Sequence, residues 1–172
     1  TAEGVTEESI SLASGIQKQG GDLYNCKGDK EQWINLTSVL EKAGLKSHMF
    51  TLGVGFSAPL YNFTGLKGLT VSLYGPTGGG KTLAQYWAQS IYGNPDKLHF
   101  AAKYTQNSLF SRLGTYANLP LTIDEVTMMN DKEVGDFCYW VSQGRDKARL
   151  NRNAEERDAK TWSTPVIVST NK

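Results

Sequence analysis

"LTVSLYGPTGGGKT", residues 69–82, decides how this chain folds. In its first half Leu69, Val71 and Leu73 alternate among strand-forming neighbours, the period of a β-strand. After its second half Leu83, Tyr86, Trp87 and Ile91 recur at helical spacing, so a glycine-rich turn joins a strand to a helix. Gly75, four residues, then Gly80-Lys81-Thr82 satisfy the P-loop spacing, and the strand and helix that this pattern requires flank it. The physical reason for the pattern is plain. Glycines let successive amides curl round a chain of phosphates at a helix N-terminus, where unpaired N–H groups and the helix dipole already favour negative charge. Gly75, Pro76, Thr77, Gly78, Gly79, Gly80, Lys81 and Thr82 are therefore candidate nucleotide-binding residues. Lys81 is assigned to the β- and γ-phosphates, and the Thr82 hydroxyl to Mg²⁺.

A phosphate loop alone hydrolyses nothing, and the rest of the machinery is sought downstream. "LPLTIDE", residues 119–125, is an apolar strand ending in two acids. Asp124 would reach the carboxyl edge of the sheet beside the P-loop, where it can hold the Mg²⁺ shell. Glu125, one residue on, is the candidate that orients or deprotonates an attacking water. "VIVSTNK", residues 166–172, delivers Ser169, Thr170 and Asn171 to the same edge and resembles the sensor-one strand of AAA+ and related ATPases. Asn171 is the first choice there for a side chain that reads the γ-phosphate, making Lys81, Glu125 and Asn171 the candidate catalytic set.

Between these strands lies "QGRDKARLNRNAEERDAKTW", residues 143–162. Arg145, Lys147, Arg149 and Arg152 face only Asp146 from Gly144 to Arg152, and the alternation from Lys147 to Asn151 allows a hairpin. Basic groups on a projecting loop suit a nucleic-acid backbone, or one arginine reaches a neighbouring subunit's γ-phosphate; a solvated charged face balanced by Glu155, Glu156 and Asp158 is the plainer reading. Trp162 either stacks on a base or anchors the hairpin.

The remaining chain frames this core. Residues 1–28 lack a steady period and are taken as a polar lead-in or the tail of a preceding domain. Residues 29–66 form a helical N-terminal region: Asp29 with Gln32 starts one helix through Trp33, Leu36, Val39 and Leu40 to Gly44, and Ser47 caps another through Met49, Leu52, Val54 and Phe56. Residues 67–172 form the P-loop core, ending after the sensor-one strand. There "LHFA" and "TPVIVST" are further strands, while Thr105 caps "QNSLFSRLGTYA" and "DKEVGDFCYWVS" is a helix. Strands alternating with helices give a three-layer α/β sandwich with a mainly parallel sheet. Phe110, Phe137, Tyr86, Trp87, Tyr139 and Trp140 are assigned to the core or a subunit contact, and His48 and His99 to packed or surface positions.

Composition narrows the function classes. Eighteen Lys and Arg against 17 Asp and Glu leave a net charge of +1, so any polyanion site must be a local patch. Cys26 and Cys138 have neither metal-ligand spacing nor a disulfide pattern, which places the chain among reduced, intracellular proteins. No run approaches the roughly 18 apolar residues of a membrane span, and "TAEGVTEES" is no secretory signal. The expectation is a protein of the bacterial host cytoplasm with no membrane partner.

At this point a family resemblance emerges. "GFSAPLY", "LYGPTGGGKTLAQYWAQSIYGNP", "LPLTIDEV", "VSQGRDKARLNRN", "TW" and "VIVSTN", over roughly residues 30–172, resemble the phage and mobile-element ATPases catalogued as domain of unknown function nine-two-seven. Such proteins are similar to superfamily-3 and AAA+-like replicative helicases and often sit beside primase domains. The resemblance implies nucleotide contacts at Gly78, Gly79, Gly80, Lys81 and Thr82, metal and water handling at Asp124 and Glu125, and sensing at Asn171. It also implies that Lys147 and Arg149 belong to a functional segment. The function expected is an ATP- and Mg²⁺-dependent DNA helicase or translocase acting on single-stranded DNA or a fork, as a homo-oligomeric ring. The alternatives are a nucleotide-gated protein remodeller, a DNA-packaging motor or a small-molecule kinase.

Overall fold

The computed structural model describes residues 23–24, 27–101, 105–147, 149–150, 156–157 and 159–171. The lead-in therefore lies almost wholly outside the described residues, as do Cys26 and Arg152.

Helix α1 (Lys30–Lys42) starts where Asp29 accepts the Gln32 amide, as its sequence dictates. Helix α2 (Lys46–Ser57) begins one residue before Ser47, with Leu45 at the cap and no side-chain cap bond. Ser47 is thus inside the first turn rather than capping it. A short 3₁₀ turn and helix α3 (Tyr61–Thr64) lead into strand β1 (Gly68–Gly75). Helix α4 (Lys81–Ser90) follows the glycine turn, then α5 (Pro95–Leu98), β2 (His99–Ala101) and α6 (Gln106–Tyr116), the last capped by Thr105. Strand β3 (Leu121–Asp124) precedes α7 (Asp131–Gln143), where Asn130 and Glu133 form a reciprocal capping box. An antiparallel pair, β4 (Arg149–Leu150) with β5 (Glu156–Arg157), makes the hairpin, and β6 (Thr164–Asn171) completes the order.

The main sheet is four-stranded, in the order β1-β6-β3-β2, and every pairing is parallel. Register runs from Gly68↔Thr164 to Gly75↔Asn171 between β1 and β6, and from Leu121↔Val166 to Ile123↔Val168 between β3 and β6. Parallel strands all carry their carboxyl ends to one edge, so the ends of β1, β3 and β6 converge. Leu121, Ile123, Val166 and Val168 join one buried cluster with Leu109, Phe110 and Leu113 of α6 and Phe137 and Val141 of α7. The other face carries α4. These three layers, with buried parallel strands reading as apolar runs, are a P-loop NTPase-like α/β core.

Two apolar stripes are not where periodicity puts them. The buried face of α4 is Ala84, Gln85, Ala88 and Gln89, while Leu83 is 50% exposed. Small alanines bring the helix close to the sheet, and the glutamines meet carbonyls there: Gln85 Nε2 donates to Ile123 O and Ile167 O, and Gln89 Nε2 to Pro120 O. On α1, Leu40 is buried but Leu36 and Val39 are 55% and 57% exposed. That helix meets α4 instead through Trp33, whose Nε1 donates to Ser90 Oγ, and Thr37, which accepts from Trp87 Nε1. Helix α2 crosses α4 where Gly55 approaches Ala88, and Tyr92 Oη donates to Gly55 O. Phe110 and Phe137 are core as expected, whereas Tyr139 is exposed. Among the described residues no helix is long and apolar enough to cross a membrane.

Candidate nucleotide and metal site

The turn after β1 needs glycine for two reasons. Gly78 and Gly80 have φ of +81° and +75°, a left-handed region that costs other residues about 1 kcal/mol or more. Gly80 also faces the His48 ring of α2: a Cβ there would lie 2.6 Å from His48 Nε2. The loop closes on itself through Gly79 N–H donating to Pro76 O, and Lys81 folds back so that its ammonium donates to Gly75 O and Pro76 O at 2.9 and 2.8 Å.

Across the sheet edge the acidic residues meet the loop. Thr82 Oγ1 donates to Asp124 Oδ2 at 3.2 Å. The Ser169 hydroxyl donates to Asp124 Oδ1 and accepts the Glu125 N–H at 2.9 Å, so one side chain of β6 fixes both acids. Glu125 has φ of +58°, a left-handed turn for a non-glycine residue that marks a constrained position. Its Oε1 accepts from Asn171 Nδ2 at 2.8 Å. Thr77 to Thr82, Asp124, Glu125 and Asn171 line one open cavity of about 400 Å³. Gly75 and Pro76 stand behind it, occupied with the Lys81 ammonium.

Behind Asp124 lies a polar layer built on His99, which the sequence assigns only to a packed or surface position. His99 of β2 sits in the adjoining strand with Nε2 3.8 Å from Asp124 Oδ2 and Nδ1 3.0 Å from Thr122 Oγ1. Tyr86 packs edge-on against the ring at 4.9 Å between centroids. Burial lowers the His99 pKa, and Asp124 opposes that shift. The signal was available only as a histidine opening a strand; its partner is set by strand pairing.

Among the described residues no group of three or more His, Cys, Asp or Glu is placed to hold a metal ion. Thr82 and Asp124 fit another kind of site. A Mg²⁺ ion carrying its own waters and the substrate's phosphates needs only one or two protein oxygens, and these two are hard oxygen donors side by side.

The basic segment is elsewhere. Arg145 bridges to Thr161 and lines a cavity of about 540 Å³ with Lys67 and Asn118, at the opposite, amino-terminal edge of the sheet. The Lys147 ammonium lies 5.2 Å from the Trp140 ring centroid, and Arg149 is paired with Arg157 in the hairpin. Trp162 is 3% exposed, stacked on Phe110, with Nε1 donating to Val141 O. It anchors the hairpin to the core and has no face free for a base.

The fold and this edge define a P-loop NTPase-like α/β protein. The chain belongs to the family described as domain of unknown function DUF927, whose model matches residues 2–161. That match reaches further towards the N-terminus than the resemblance over 30–172 and stops before Trp162 and β6. No curated protein matches the chain. A solved structure, SCCmec type IV Cch, an active helicase, is similar with a TM-score of 0.59 and 23% identity over 87% of this chain. The chain spans 29% of that protein, and the likeness is one of fold.

Proposed function

We propose that the chain is the nucleotide-hydrolysing part of a DNA motor: a Mg²⁺-dependent ATPase serving as helicase or translocase in phage or mobile-element replication. The observation that carries this reading is the series of hydrogen bonds linking Thr82, Asp124, Ser169, Glu125 and Asn171 beside the glycine loop. Binding a phosphate chain needs only the loop; hydrolysis also needs an acid aimed at a water near the last phosphate.

In the proposed reaction the amides of Gly78 to Thr82 cradle the phosphates, and Lys81 leaves the Gly75 and Pro76 carbonyls for phosphate oxygens. Thr82 and Asp124 would hold the Mg²⁺, which when bound neutralises charge on the β- and γ-phosphates. Glu125 orients the attacking water and accepts its proton, while Asn171 fixes the direction in which Glu125 points and senses the γ-phosphate. Ser169 keeps both acids in phase. Arg145 lines the cavity at the far edge of the sheet and Lys147 lies on Trp140 of α7, which favours a role for this part of the segment on something other than the chain's own nucleotide. Arg145, Lys147, Arg149 and Arg152 are accordingly assigned to single-stranded DNA or a fork, or to a neighbour's phosphates within a homo-oligomeric ring, with a primase domain as a companion. The fold likeness to an active helicase supports the same class.

The test is ATP turnover by the full-length protein, with and without single-stranded DNA. Stimulation by DNA is expected, with Glu125→Gln lowering turnover about 10²-fold or more while nucleotide still binds. Arg149→Ala should lose the stimulation alone. Turnover that needs Glu125 but ignores DNA would keep the ATPase and remove the DNA motor.

A further inference from the structure

We infer that His99 is a positioning residue for Asp124, presenting an Nε2–H to Oδ2 and so fixing the rotation of the carboxylate that faces the metal. The inference rests on the proposed ATPase reading and deepens it. It begins at Gln89, whose Nε2 donates to Pro120 O at 2.9 Å and to Thr122 Oγ1 at 3.2 Å. The carbonyl partner fixes which end of the amide carries the hydrogens. Thr122 Oγ1 accepts there, and among the described residues no other acceptor takes its single hydrogen, which is therefore assigned to His99 Nδ1, 3.0 Å away. Nδ1 is then the acceptor, and the proton of a neutral ring resides on Nε2.

That Nε2 is sealed from solvent with no hydrogen-bond partner among the described residues, 3.8 Å from Asp124 Oδ2. A buried donor without an acceptor is costly and calls for an explanation. The nearest anion supplies it. Register pairs His99 with Thr122 and Ala101 with Asp124, so the ring lies diagonally beside the carboxylate, and Tyr86 closes its other side. A small rotation of the carboxylate completes the N–H···O bond. With Ser169 on Oδ1 and His99 on Oδ2, Asp124 is held at both ends, and the Thr82 hydroxyl is released for the cation. Partners of this kind behind a ligand orient it and are worth about 10–100-fold in metal affinity.

Two measurements test this on the intact protein. Long-range ¹H–¹⁵N NMR of the imidazole without nucleotide should show the Nε2–H tautomer alone, and Thr122→Val should mix the tautomers; an Nδ1–H form in the wild type overturns the proposal. Binding of a fluorescent ATP analogue is then compared with Mg²⁺ and with EDTA. His99→Phe, which keeps the ring but has no N–H, should weaken the Mg²⁺-dependent binding about tenfold or more and leave binding in EDTA unchanged. His99→Gln, whose amide can donate from the same place, should recover most of it. Equal weakening with and without Mg²⁺, or no weakening, overturns the role of His99 while the ATPase stands. A wild type that binds no nucleotide in either condition overturns the ATPase reading itself, and the tautomer still reports on the hydrogen-bond chain.

Discussion

At the scale of single residues, Ser169 has a purpose that its type does not advertise. Its hydroxyl accepts the Glu125 amide and donates to Asp124 Oδ1, so truncation frees two neighbouring acids at once. Ser169→Ala should cost about 1–2 kcal/mol in urea unfolding and lower turnover about tenfold, the latter on the scale that loss of a ligand's supporting partner carries. A wild-type rate in a destabilised protein would make the contact structural only. Gly75 to Thr82, Asp124, Glu125 and Asn171 could be nominated from sequence because each belongs to a local pattern of glycines or a strand end. The roles of Ser169 and His99 could not. A serine late in a strand and a histidine beginning one have nothing local to identify them until β6 and β2 are laid on either side of β3.

At the scale of elements, α7 shows how tightly the P-loop strand is seated. The Val141 carbonyl, in the last turn of α7, accepts from Trp162 Nε1 and stands against the start of β1, where a Cβ on Gly68 would come within 2.2 Å of it. Gly68→Ala should therefore destabilise the protein by about 2–3 kcal/mol, a cost of overpacking that only backbone movement relieves. An unchanged urea midpoint would contradict it. Most elements were legible because their signals are local: the Asp29 and Thr105 caps and the apolar strands before Asp124 and Asn171. The faces were less so. Helix α4 buries glutamines because strand carbonyls await them, and no hydrophobic period records that. Trp162 left two readings open, and the stacking on Phe110 decides for the anchor.

At the scale of the whole molecule, several phenols are buried or half-buried, which favours their neutral form. Tyr92 is pushed up to about 12 by burial, and Tyr24 and Tyr116, in edge contact at 6.2 Å, are raised mainly by the same cause. Raised in the fold above an unfolded value near 10, these groups support stability fully below about pH 10 and lose that support as the pH climbs towards about 12. The urea midpoint should stay level up to about pH 10 and then fall, with phenolate absorbance rising in step with unfolding. Ionisation of all the tyrosines before any loss of structure would contradict this. The strand order β1-β6-β3-β2 was the least legible property, since it joins segments almost a hundred residues apart. That order has a consequence for the lengths the chain can tolerate. Because β1 and β6 are paired residue for residue, with Gly75 opposite Asn171, the glycine loop and Asn171 are kept in phase by the pleat. One residue inserted within β6 would turn Ser169 and Asn171 to the opposite face and throw the carboxylates and the loop out of phase. Trp162, stacked on Phe110 just ahead of β6, fixes where that count begins. β6 is thus a strand in which every residue is counted.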